Sequence, residues 1–399
     1  MSRSHDDGPR RIGENVRAAR RARGLSLEAA AGLVGRSKGW LSKIENGKAR
    51  LERRSDIAAL ADALEVSADA LLGVSAPEVQ PDRRGYSLVG LQRALLDVSC
   101  ADPPDMPSRP VAVLAAEVER ADQALRNADY ATVMAVLPGV IRELSVHAAA
   151  GIEPARSEAL RLLVVACGSD ATCTLRHLGD GSLGWVAGER ARQAAEQLDE
   201  PVWQAAAAFG QAHARSSANR PRALMTTPRT ADELEPHIGD DPFAHQVYGM
   251  LRLSAALACQ VAGDHGAARD HADEAARVAE PLGDDPAAFE VFGVANTGVW
   301  RTSLAVEAGE PTEALEYADR VEPRALASGN RRAALRIEKA RALAMLGRDG
   351  DAVRELRQAE RLSPEQVRHN PLIRELVGGL LDRAGGRDLR GLAWRMNLV

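Results

Sequence analysis

Residues 25–50 read LSLEAAAGLVGRSKGWLSKIENGKAR. Ser26 sits where a helix N-cap belongs, and Leu27, Ala30, Ala31 and Val34 then recur on one face until Gly35 interrupts them. Ser37 is a second N-cap, opening a helix that turns Leu41 and Ile44 inward and breaks at Asn46-Gly47. Two short helices joined by a tight glycine turn have the geometry of a helix-turn-helix.

The flanks supply the helices that such a pair needs for a core. Upstream, Ile12, Val16 and Ala19 form one stripe that stops at Gly24. Downstream, Ser55 is expected to cap a fourth helix with Ile57, Leu60, Ala61 and Leu64 on its apolar stripe, and Ser67 to cap a short fifth. Residues 9–74 are therefore expected to form a five-helix head. Over residues 11–73 the text resembles the phage-repressor-like helix-turn-helix of the xenobiotic-response-element family. The shared features are Gly-Leu-Ser before the second helix, Ala within it, Gly at the turn, Ser-x-Ile-Glu-x-Gly closing the third helix, and a terminal Leu-Leu-Gly.

That resemblance implies double-stranded operator DNA as the partner, bound by a homodimer. Ser37, Lys38 and Gly39 match the start of the recognition helix, which meets base edges, and Lys43 matches a second base-reading position. Asn46, Lys48, Arg50 and Arg53 match the loop that grips phosphates. Ser26 and Trp40 complete the expected DNA-facing set, and Arg20 and Glu45 match a buried ion pair. Two positions depart from the family: Leu27 stands where Gln commonly touches a phosphate, and Trp40 replaces a small polar residue.

Charge distribution points the same way. From Pro9 to Arg54 there are thirteen basic residues against four glutamates, whereas from Ser55 onward thirty-seven basic face fifty acidic. A basic head on an acidic body suits a polyanion at the head. Three of the four lysines in the chain, Lys38, Lys43 and Lys48, fall in this one stretch. Lys38 and Lys43 are about 140° apart around a helix, so they need not share a target.

Hydrophobic residues make up 45% of the 399, yet Phe, Trp and Tyr only 3%, and β-branched runs are scarce. The whole chain is therefore expected to be all-α. Residues 75–110 hold Pro103-Pro104, Pro107 and Pro110 and read as a Pro-rich linker that lets the head move, with a possible short helix in YSLVGLQRALLDVS. In residues 111–399 helix pairs recur around Gly179, Gly263, Gly309 and Gly347. The segment AVEAGEPTEALEYADRVEP, with Gly309, Ala314, Ala318 and Pro323, resembles a tetratricopeptide repeat. The resemblance implies an α-solenoid that dimerises and senses a signal. The segment from Ser216 to Pro242 carries four prolines, so its second helix should be broken or shortened.

Within that body, Phe292, Asn296 and Trp300 fall at i, i+4 and i+8, and Tyr248 and Arg252 lie on the preceding inner helix. A mid-helix Asn between aromatics is costly in a dry core, so these five are expected to line an effector pocket for a peptide or small molecule. Ordinary packing, with Asn296 bonded to a neighbouring loop, is the alternative. GDGSLG at residues 179–184 spells a dinucleotide fingerprint but follows a helical stretch, and reads as a repeat turn. Cys167, Cys173 and His177 lack an evident fourth ligand, so no metal or cofactor is expected.

No catalytic motif stands out, and an enzyme is not expected. With scattered cysteines, no apolar run near twenty residues and no apolar leader, the expected compartment is the cytoplasm, without membrane attachment. The function these readings imply is a transcription regulator. A DNA-anchored adaptor whose repeats hold a protein partner is the alternative.

Overall fold

The computed structural model describes residues 8–51, 53–73, 88–150, 153–214 and 224–399. Among them there is no strand. The head comprises α1 (Gly8–Ala22), α2 (Leu27–Leu33), α3 (Lys38–Glu45), α4 (Arg54–Leu64) and α5 (Ala68–Leu72). Ile12, Val16, Leu41, Ile44, Ile57, Leu60 and Leu64 fill its core. The caps expected at Ser26 and Ser37 form: their hydroxyls accept from Ala29 N and Trp40 N, both at 3.1 Å. Each such cap is worth about 1 kcal/mol. Ser55 does not cap α4, which already begins at Arg54 with Arg53 at its N-cap. Gly35, at φ +64°, turns the chain between α2 and α3.

The expected linker is only partly a linker. Residues 74–87, with the first part of the expected linker, lie outside the described residues. Beyond them α6 (Val89–Leu96) buries Leu91, Ala94 and Leu95 in the main core of the body. The apolar i, i+3, i+4 face at 91, 94 and 95 is what seats it there.

The body is a succession of antiparallel helix pairs. Its elements are α7 (Val111–Arg126), α8 (Tyr130–Ala150), α9 (Ala155–Leu163), which runs through a π-helical segment (Val164–Ala171) into α10 (Thr172–Leu178), α11 (Gly181–Leu198) and α12 (Pro201–His213). Then come α13 (Thr227–Leu234), α14 (Pro242–Ala262), α15 (His265–Leu282), α16 (Val294–Ala308), α17 (Pro311–Arg320), α18 (Gly329–Met345) and α19 (Asp349–Leu362). Three short helices close the chain: α20 (Pro364–Arg368), α21 (Pro371–Arg383) and α22 (Arg387–Arg395). The proline-rich segment yields only α13 between two short 3-10 turns, and residues 215–223 lie outside the described set.

A shared turn recurs in four pairs. Gly179, Gly263, Gly309 and Gly347 all take φ between 72° and 88°, conformations that L side chains rarely adopt. Five residues on stand Gly184, Ala268, Ala314 and Ala352, all buried. A small residue there lets neighbouring backbones close up: at Gly184 a Cβ would lie 3.1 Å from the Ala214 carbonyl oxygen. GDGSLG is thus a hairpin turn, with Asp180 accepting from Leu183 N at 3.0 Å.

The array does not stay open. Tyr130, at the start of α8, donates to Asn330 Oδ1 in α18 at 3.1 Å and lies 2.9 Å from His177 Nδ1 and 3.2 Å from Ser363 Oγ. Asn330 Nδ2 donates in turn to the Leu125 carbonyl at 2.6 Å. The first pair of the body is fastened to its late pairs, and the groove between them narrows to a partly enclosed cavity.

Candidate nucleic-acid interface and the body cavity

The recognition helix is held by its inward charges. Glu45, almost wholly buried, receives Arg20 through both oxygens, at 2.5 and 2.9 Å, and Arg17 Nε at 3.3 Å. α1 can approach α3 this closely because residue 13 is glycine; a Cβ there would lie 2.4 Å from the Ile44 carbonyl oxygen. Glu45 is therefore a structural anion bound by two guanidiniums, which fix the pitch of α3 against α1.

Outward, α3 and its borders present cations and small groups. Ser26, Ser37, Lys38, Gly39, Lys43, Asn46 and Lys48 are all exposed. Lys38 Nζ has only the distant company of Glu28, at 3.9 Å, and both side chains are largely in solvent. Such a pair offers almost nothing to hold the lysine back from another anion. Trp40 is half-buried because Arg36, itself bonded to Asp56, lies over its ring at 5.6 Å from the centroid. Asn46 spends its amide within the head: Oδ1 accepts from Arg17 at 2.7 Å and Nδ2 donates to the Ser42 carbonyl at 2.7 Å.

Two residues expected at phosphates are turned the other way. Arg50 reaches α21, pairing with Asp382 and, at 3.4 Å, with Glu375, over the gap left by Gly378 and Gly379. Arg53 donates to the Glu307 carbonyl at 2.6 Å. Beside them Arg54, which sequence reasoning passed over, donates to Glu307 Oε1 at 2.7 Å and lies 3.4 Å from Glu338. Arg341 joins both acids, each at 2.7 Å, so two buried arginines and two buried glutamates form one network between head and body. Leu372 of α21 adds an apolar contact within the core of the head. The reason for the departure is plain in the charges: three arginines of the basic head meet the acidic body instead of solvent.

The expected effector face also comes apart. Phe292 precedes α16 rather than lying on it, because Glu290 and Val291 take left-handed conformations, φ 49° and 55°, and Gly293 is extended. Its ring is buried against Gly249, where a Cβ would meet it at 2.0 Å. Asn296 is buried and satisfied, donating to the Glu290 carbonyl at 3.1 Å and accepting from Arg331 Nε at 2.8 Å. Arg252 pairs with Asp232 at 2.8 Å and Glu235 at 3.2 Å and stacks on Tyr248, away from the cavity. Of the five, only Trp300 lines the cavity, which measures about 190 Å³. Other walls come from Arg54 and Glu338 of the network and from Arg176, Glu290 and Arg331. Sequence reasoning missed these because nothing local marks which charges the fold gathers around one cavity.

Burial dominates the electrostatics around this cavity. It pushes the Asp170 carboxyl, in the π-helical segment, well above the usual carboxylate range, helped by the charges of Asp122 and Glu290. Neither Asp170 oxygen has a hydrogen-bond partner. Burial would also raise Glu338, but the Arg341 and Arg54 charges outweigh it and hold this carboxyl below its ordinary value. Among the described residues no group of His, Cys, Asp and Glu is arranged to hold a metal ion, and no helix is long and apolar enough to cross a membrane.

Residues 11–72 match a protein family described as a helix-turn-helix domain. Comparison of the chain with the curated proteins finds no match. The chain thus carries a helix-turn-helix domain of the kind that binds DNA, in an all-α protein with a helical repeat region.

Proposed function

We propose that this protein is a cytoplasmic, sequence-specific transcription regulator of the xenobiotic-response-element type, acting as a homodimer, with a tetratricopeptide-like body that senses a small effector. The observation that carries the reading is the exposed face of α3, with Ser37, Lys38, Gly39 and Lys43 in solvent while Glu45 is locked inside. A helix so mounted can enter a major groove, where a lysine can reach guanine O6 and N7. A short recognition helix reads few base pairs, which favours two copies on paired half-sites.

The closed body supports a small effector over a protein partner. Tyr130 and Asn330 tie its first pair to a late one, leaving a small, partly enclosed cavity of about 190 Å³. A head residue, Arg54, forms part of the cavity wall, so occupancy of the cavity and docking of the head are coupled if the ligand prefers one arrangement. The deciding experiment is selection of bound duplexes from a random pool by the full chain, followed by binding of the winner at several salt concentrations. Enrichment of a two-fold-related motif is expected. A pool that emerges without a motif would remove the reading.

A further inference from the structure

Two arginines in the cavity wall have no carboxylate partner. Arg331 bonds only through Nε, to the amide oxygen of Asn296, and its guanidinium lies 5.8 Å from the Trp300 ring centroid. Arg176 donates to the His213 carbonyl at 3.0 Å and to Cys173 Sγ at 3.3 Å. Among the described residues no Asp or Glu lies within ion-pair distance of either. The fully buried arginines of the body, Arg252 and Arg341, each pair with two carboxylates. Arg331 and Arg176 are partly withdrawn from water, and two guanidiniums that face one cavity without a carboxylate make that space attractive to an anion.

Burial pushes the Arg331 guanidinium down to about 10; Glu290 opposes that shift and the Arg176 charge adds to it. At neutral pH Arg331 is still a cation. A further donor waits beside it: Trp300 is 7% exposed, and its buried indole N–H has no acceptor. The wall is not uniformly positive, since Glu290 also lines it. Glu290 accepts from Ser169 at 2.6 Å and pairs with no arginine, which disfavours a second negative charge on any occupant. The backbone here is also strained, since Val291 is a β-branched residue at φ 55°.

We propose that this cavity binds a small organic monocarboxylate, its carboxylate held by Arg331 and Arg176 and its apolar part resting against Trp300, Val299 and Ile337. The size fits such a ligand. A cavity of about 150 Å³ accepts benzene, so this one takes on the order of six to ten non-hydrogen atoms. That volume is too small for an extended peptide. The inference rests on the sensor reading above only for its consequence, not for the binding itself.

The test uses the full chain and calorimetric titration with acetate, butyrate, benzoate and phenylacetate, each beside its neutral amide, with succinate and inorganic phosphate as separate arms. At least one monocarboxylate should bind, and its amide should bind about tenfold more weakly or not at all. Arg331→Gln and Arg176→Gln should each weaken that binding by about tenfold while the melting temperature stays the same or rises. Equal binding of acid and amide, tighter binding of succinate or phosphate, no binding by any of the acids, or binding indifferent to both substitutions would each overturn the proposal. Specific carboxylate binding that leaves DNA affinity unchanged would support the site while removing the sensor reading.

Discussion

Arg54, in the first turn of α4, and Glu307, near the end of α16, are joined at 2.7 Å across 253 residues of sequence. Glu307 also accepts from the Arg54 backbone N–H at 3.1 Å, so one carboxylate holds both the side chain and the start of the helix. With Arg341 and Glu338 the charges balance inside the contact. Removing one member leaves the others buried and unmatched.

Glu307→Gln should therefore destabilise the chain by about 3–5 kcal/mol in urea denaturation. Arg54→Met with Glu307→Gln together should cost less than the sum of the two single changes. Additive costs in that double-mutant cycle would mean the pair does not couple head to body.

At the DNA face the lysines should divide by role. Lys38→Ala and Lys43→Ala should each cost roughly 1–3 kcal/mol of discrimination between the preferred duplex and one with an altered base pair. Lys48→Ala should weaken all duplexes alike and reduce the salt slope by about one. Arg50→Ala and Arg53→Ala should leave that slope unchanged while the head is docked, because the body holds both side chains. Slopes of log affinity against log salt for the five variants decide it.

The network also makes stability depend on acid. Glu338 titrates below its ordinary value of 4.5 in the folded protein, so its contribution is fully present above that pH. As pH falls through the lower folded value, protonation becomes equally easy in both states and the contribution is lost. Melting temperature should decline below about pH 4.5, more steeply in the natural chain than in Glu338→Gln, which is less stable at neutral pH and flatter in acid. Parallel pH curves for the two proteins would contradict this.

Close backbone approach in the head makes a steric prediction. In Gly13→Ala the new methyl would stand 2.4 Å from the Ile44 carbonyl oxygen, a backbone atom that cannot swing aside. α1 must then lift from α3, stretching the Arg20 bridge to Glu45. A loss of roughly 1–3 kcal/mol is expected from denaturation, with weaker DNA binding as α3 loses its mount. Gly39→Ala, where nothing lies closer than 3.9 Å, is the matched control and should be nearly neutral for stability.

Local signals carried the head and the turns of the body. Ser26 and Ser37 announce two caps, the spacing of Ile57, Leu60 and Leu64 gives one inward stripe, and Gly263 and Gly309 mark hairpins, because each depends on residues within a turn or two. Residues that act at long range were not legible. Arg50, Arg53 and Arg54 look alike in a basic stretch, and only the fold brings Glu307, Glu338 and Glu375 beside them. The start of α16 was misread for a different reason: the i, i+4, i+8 spacing from Phe292 is helical, but the left-handed Glu290 and Val291 delay the helix until Val294. Tyr130 and Asn330 lie 200 residues apart, and neither advertises the other.

The bond between Tyr130 and Asn330 has an evolutionary corollary. A ladder with free ends can lengthen or shorten by duplicating or deleting a rung, because each rung touches only its neighbours. Once the first rung is bolted to a late one, an inserted pair would push the two out of register and strand the His177 and Ser363 partners as well. Descendants of this chain should diverge by substitution along a fixed number of pairs, with their length differences gathered in the stretches that join them.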